Sequence, residues 1–184
     1  MWLSILPRPD VPPYCLHQVL WSYFPDVPPG SDRPFLFREA GRDIILLGRR
    51  RPASPTLDIR DRVRAGRAYQ FDVLASPVKT VRPAGKGSPR TLRCLTGNDE
   101  RRAWFARRLN GAEPGFTQVF DVPTRRFKKA NGEPVTLYSC RIKGVLHVTN
   151  RALFIDTLLT GIGGRGCWGC GLLILPEIMR EALP

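Results

Sequence analysis

The stretch Tyr14–Pro25, YCLHQVLWSYFP, sets Leu16, Val19, Leu20 and Tyr23 at helical spacing, and Phe24 continues the stripe. Pro25 stops the helix. Pro34–Gly48, PFLFREAGRDIILLG, follows another pattern. Two apolar runs meet at a turn near Ala40–Arg42, which predicts a β-hairpin. Before both, WLSIL at residues 2–6 reads as a short strand, ended by the Pro-rich stretch Pro7–Pro13. DVPPGSDRP, residues 26–34, reads as loop between helix and hairpin.

The same alternation continues outward. Arg- and Pro-rich sequence after Gly48 predicts mostly loop. Ala68–Ser76 alternates as a strand, Pro77–Pro89 reads as a basic loop, and Thr91–Leu95 as another strand. Asn98 is placed to cap a helix reaching Leu109. Gly111–Gly115 reads as a junction, dividing the chain into residues 1–110 and 111–184. Beyond it come a strand at Phe116–Val122 and a basic hairpin, Arg125–Lys129 and Val135–Val148, turning at Asn131-Gly132. Asn150 opens a helix to about Leu159, and Leu172–Leu175 is a last strand. The order predicts two small α+β domains, which suits 184 residues.

Composition narrows the function. Hydrophobic residues make up 42%, enough for a core, so a disordered chain is excluded. No apolar run of about 18 residues occurs, so no membrane span is expected, and MWLSILPRPD is not a secretory signal. A cytoplasmic setting with reduced cysteines follows as the expectation. The net charge of +13 is uneven: residues 60–108 carry +9 and residues 109–150 carry +3. A concentrated basic surface attracts polyanions, and phosphate contacts supply most non-specific nucleic-acid affinity. The alternative is a solvated basic face, which suits Arg101, Arg102, Arg107 and Arg108 on the second helix.

Three motifs invite chemistry. Gly161-Ile-Gly163-Gly164-Arg165-Gly166 fits GxGxxG, but it follows a helix and precedes a strand, the reverse of a dinucleotide fingerprint. It reads better as a loop whose backbone can approach a ligand closely, with N–H groups able to nest an anion. Cys167-Trp-Gly-Cys170 lacks the helix start of a redox pair and the second half of a zinc site, so it reads as two small buried thiols. Of two histidines, His147 reads as a structural strand residue. His17 shares a helix face with Tyr14, three residues before it. Imidazole, with a pKa near ~6.5, can move a proton at neutral pH.

Five stretches in order resemble the CasE family of CRISPR-RNA-processing endoribonucleases, within the wider Cas-six superfamily. Met1-Trp2-Leu3-Ser4 resembles its first strand. Tyr14–Pro25 is similar to its catalytic helix. Leu74-Ala-Ser76-Pro77-Val-Lys79-Thr80 resembles its Asn-Pro-x-Lys segment, with Ser76 in place of asparagine. Gly144-Val-Leu precedes the last helix, and Gly161-Ile-Gly163 through Gly169-Cys170-Gly171-Leu172-Leu173 resembles its Gly-rich signature. The resemblance implies two tandem ferredoxin-like (RRM-like) domains. It implies an enzyme that binds a CRISPR repeat stem-loop and cuts at its 3′ base with no metal or other cofactor. The product would stay bound and join the other subunits of a class 1 CRISPR interference complex.

Metal-free cleavage uses the ribose 2′-OH as nucleophile and leaves a cyclic phosphate. It needs proton transfer, assigned to His17, and positioning, assigned to Tyr14 because a phenol is a poor base. Whether His17 is base or acid stays open in the sequence. A cation must face the phosphate. Some family members carry one five positions after the histidine, where Ser22 stands here. The candidates are Lys128, Lys129, Lys143 and Arg165. RNA contacts are assigned to Lys79, Arg82, Lys86 and Arg90, to Arg125, Arg126, Lys128 and Lys129 on the hairpin, and to Lys143, Gly163, Gly164 and Arg165. The alternative is a guide-RNA-binding subunit that cuts slowly or not at all. Behind it stand a general basic RNA-binding protein and a thiol redox protein.

Overall fold

The computed structural model describes residues 1–28, 30–81, 91–164 and 166–180. The first unit runs β1 (Trp2–Pro7), α1 (Pro13–Trp21), β2 (Phe35–Ala40), β3 (Asp43–Gly48) and β4 (Leu57–Asp58). Pro13 sits at the first helical position, where its missing N–H costs nothing. All strand pairs are antiparallel, in the order β2-β3-β1-β4. That is the strand order of a ferredoxin-like βαββαβ unit, with residues 49–56 in place of its second helix.

The second unit runs β5 (Ala68–Ala75), β6 (Val78–Val81), β7 (Thr91–Cys94), α2 (Asn98–Ala106), β8 (Ala112–Asp121), β9 (Arg125–Lys128), β10 (Pro134–Leu137), β11 (Cys140–Val148), α3 (Arg151–Thr160), β12 (Leu173–Ile174) and α4 (Pro176–Arg180). Its sheet is ordered β12-β5-β11-β8, while β6-β7 and β9-β10 pair only with each other. With those two hairpins set aside, β5-α2-β8-β11-α3-β12 repeats the same topology. The fold is thus α+β, two ferredoxin-like domains in tandem. The change of sheet falls between residues 58 and 68. The expected junction at 110/111 instead lies inside the second unit, because β5 pairs along its length with β11.

Gly111 makes a tight turn there. It sits at φ +77°, and a β-carbon on it would collide with the backbone of Asn150 and Phe154. Asn150 accepts the Leu153 N–H at 3.1 Å and caps α3 as expected. Asn98 caps nothing, since Gly97 holds the cap position. Helix α1 ends at Trp21, short of Phe24, where the Ser22 hydroxyl donates to the Val19 carbonyl at 2.7 Å. The run Val135–Val148 is two strands. Leu137 pairs with Arg125 in the hairpin, whereas Cys140 pairs with Ala75 and Asp121 in the main sheet.

Two cores hold the fold. Leu16, Leu20 and Phe24 pack with Leu6, Phe35, Phe37, Ile44 and Leu46, which seats α1 on one face of the first sheet. Leu3, Leu36 and Leu47 enter a larger core with Phe71, Val73, Trp104, Phe154 and Leu172 of the second domain. The domains therefore share apolar surface. At the seam, Arg38 of β2 reaches Asp72 of β5 at 2.9 Å, and Arg141 closes on both carboxylate oxygens, with Lys143 at 3.7 Å. Burial raises the pKa of Asp72, but the hydrogen bond from Arg141 and the charge of Arg38 outweigh it and hold the carboxyl below its ordinary value. Its stabilising effect is full above pH ~4 and is lost as pH falls through that lowered value. Asp72→Asn should cost about 3 kcal/mol at pH 7, near the low end for a broken buried pair. Chemical denaturation at pH 7 and at pH 3 checks this: the deficit at pH 7 should shrink at pH 3.

Candidate active site and nucleic-acid interface

His17 is half-buried on α1 and braced by aromatic rings. Trp21, one turn later, donates its Nε1–H to His17 Nε2 at 3.2 Å. That lone pair is an acceptor, so the proton of the neutral ring sits on Nδ1. The imidazole lies 6.1 Å from the Phe35 ring of β2. Burial first, then the nearby charge of Arg33, push the His17 pKa below 6.5. The ring is neutral at pH 7. Tyr14, also half-buried, is one turn away on the same helix. Its hydrogen bond with Cys15 raises the phenol pKa from 10.0, so it keeps its proton.

The Gly-rich loop closes on this helix. A 3₁₀ turn, Gly166–Trp168, contacts both α1 and β2. A β-carbon at Gly166 would collide with Arg33 Nη2. Gly163 sits at φ +79°, where a β-carbon would come within 2.7 Å of the Trp104 ring. Glycine is required there for packing. Gly164 is exposed, and nothing lies within 4 Å of its missing β-carbon. Trp104 donates to the Val78 carbonyl at 3.1 Å, which ties β6, the strand of Lys79, to the loop.

The basic hairpin joins the same group. Phe127 of β9 packs edge-on against Trp168, 4.8 Å between centroids. Arg125 reaches Glu39 of β2 at 2.9 Å, and Arg8 takes the other Glu39 oxygen at 3.0 Å. Arg126 and Lys128 are exposed, and Lys129 is paired with Glu133 at 2.7 Å. Lys143 is held at the Asp72 cluster, and Lys79 pairs with Glu100 at 3.0 Å. Arg82, Lys86, Arg90 and Arg165 lie outside the described residues, as does the Cys167 side chain. The helical arginines divide. Arg101 and Arg102 bind Asp121 and Asp99, and Arg108 stacks on Trp104 at 4.2 Å. Cys170 is buried in this structure, and burial pushes the Cys140 thiol up to about 11.

Sequence reading missed Arg33, Glu39 and the Trp168–Phe127 contact. Arg33 gave no signal within a Pro-rich loop. Trp21 did give one, four residues after His17.

The family model described as CRISPR associated protein matches residues 8–176. The chain belongs to this family of CRISPR-associated proteins, as its CasE-like motifs imply. It is similar to the Escherichia coli (strain K12) protein named CRISPR system Cascade subunit CasE, at 29% identity over 185 residues, covering 90% of this chain and 92% of the relative. It superposes on the crystal structure of the CRISPR-associated protein Cas6e from Escherichia coli str. K-12 with a TM-score of 0.76 at 26% identity, covering 95% and 98% of the two chains. Thermus thermophilus Cse3, bound to an RNA representing a pre-cleavage complex, shares the fold with a TM-score of 0.75 at 20% identity, covering 95% and 98%.

Two expectations follow from the geometry. In an NMR titration, His17 should have its midpoint below 6.5; a midpoint above that value would contradict the buried, Arg33-flanked ring. Glu39→Gln removes the charge that holds Arg8 and Arg125, at a cost of about 1 kcal/mol for two partly exposed pairs. Amide exchange across residues 125–137 should speed up more than exchange in β11.

Proposed function

We propose that this chain is a CRISPR precursor-RNA endoribonuclease, which binds the repeat stem-loop and cuts at its 3′ base. The observation that carries the reading is the junction of His17, the Gly-rich loop and the basic hairpin, in a chain whose CasE relative aligns along nearly its whole length. A relative named as a Cascade subunit supports the same partners here: the repeat RNA and the other subunits of a multi-subunit interference complex. Among the described residues no helix is long and apolar enough to cross a membrane. We place its work in the cytoplasm.

The hairpin offers Arg126 and Lys128 to the stem. An A-form major groove is too narrow to read by side chains, so these contacts go to phosphates. Cleavage then proceeds without metal. The 2′-oxygen forms a bond to the adjacent phosphorus as its proton leaves, and the bond to the 5′-oxygen breaks. The products are a 2′,3′-cyclic phosphate and a 5′-oxygen that takes a proton from water to become the 5′-hydroxyl. Neutral His17 has one lone pair, at Nε2, and takes the 2′-OH proton there as Trp21 yields its place. Tyr14, protonated, donates to a phosphate oxygen and holds the linkage in line.

The experiment is cleavage of the cognate repeat in excess EDTA. The wild type should cut. A 2′-deoxy substitution at the cut site should abolish cutting, and His17→Ala should slow it by ~10²–10⁴-fold with binding kept. Binding without cutting by the wild type would leave a guide-RNA-holding subunit.

A further inference from the structure

Most of the cations nominated from sequence and described in the structure have partners. Lys79, Lys129 and Arg125 face glutamates, and Lys143 faces Asp72. Arg126 and Lys128 are exposed, on the hairpin assigned to the stem. Ser22, where a basic residue stands in some relatives, spends its hydroxyl on the helix end. The site still needs a positive group for the charge that builds on the non-bridging oxygens of the phosphorane.

Arg33 also has a partner in the structure, and its placement singles it out. Its guanidinium carbon lies 5.7 Å from the centre of the Phe35 ring, the same ring that flanks His17 at 6.1 Å. On its other side, Arg33 Nη2 lies against Gly166, so loop, arginine and histidine meet around one aromatic side chain. Arg33 also lines an open cleft of about 600 Å³ with Phe35, Arg49, Arg50 and Thr160. Arg49 is engaged there by Asp156 at 3.2 Å and Thr160 at 2.9 Å. The guanidinium therefore lines the cleft, shares the Phe35 ring with the imidazole assigned to the proton, and is close enough for its charge to act on it.

We propose that Arg33 is a catalytic residue that contacts the non-bridging oxygens of the scissile phosphate and stabilises the phosphorane. The proposal rests on the nuclease reading above. A planar fork of N–H donors suits two phosphate oxygens, and its charge is permanent. Arg33 transfers no proton. It supplies charge while the 2′-oxygen bonds to phosphorus and the 5′-oxygen leaves. Glycine at 166 is the matching requirement, because any side chain there would push the guanidinium aside.

The test separates rate from binding under single turnover with saturating protein. Arg33→Ala should lower the cleavage rate constant by ~10²-fold, the usual loss for one transition-state donor, while the RNA dissociation constant changes by less than about threefold. Arg33→Lys, which keeps the charge, should recover about tenfold of that rate. Both variants should melt like wild type. An unchanged rate in Arg33→Ala, a loss confined to binding, or an Arg33→Lys no faster than Arg33→Ala would overturn the assignment and leave Arg33 as packing for Phe35 and Gly166. A wild type that does not cut in the same assay would sink the nuclease reading, and this proposal with it. A cutting wild type isolates any failure to Arg33.

Discussion

The first sheet is buried on both faces, and the rest of the molecule follows from that. Helix α1 covers one side through Leu16 and Leu20, while Leu3, Leu36 and Leu47 carry the other into the core of the second domain. Strands wet on one face alternate in polarity. Strands covered on both become continuous apolar runs, as FLF and IILL are here. This double burial fixes α1 relative to the second domain. His17 and the Gly-rich loop come from opposite ends of the chain, yet they meet with no covalent tie because Phe35 and Phe37 seat the helix and Leu36 packs at Gly161.

Electrostatics at the seam is structural before it is functional. Asp72 draws Arg38 and Arg141 into one cluster, and Glu39, the neighbour of Arg38, draws Arg8 and Arg125 into another. Adjacent residues of β2 thus anchor the second sheet and the basic hairpin. Such pairs cancel cation against anion one for one, so the net charge of +13 is the excess that they leave for phosphate. Arg126 and Lys128 stand exposed on the hairpin, and Arg33 and Arg50 line the cleft.

Local pattern made most elements legible. The stripe at Leu16 and Leu20, the turn at Gly41 and the cap at Asn150 are signals within a few residues, and each stands where it was read. The division of the chain was not legible. Whether β5 pairs with β4 or with β11 depends on contacts across some 70 residues, and Gly111, which looked like a linker, is a tight turn under α3. For the site, helical spacing put His17 and Tyr14 on one face, and the resemblance to the family's catalytic helix made them candidates. Arg33 could not be found so, because its role depends on Phe35, Gly166 and the cleft, which no periodicity records.

Both inserted hairpins leave the second sheet at the same end. Ala75, the last residue of β5, and Asp121, the last of β8, sit opposite Cys140, the first of β11. Among the described residues, the strands beyond that line pair only within their own hairpins. The frame therefore resembles a socket: the hairpins can lengthen, shorten or change charge without moving a single register in the core. Divergence in RNA preference can accumulate at that end alone, while the strands that align His17 with the loop keep their places.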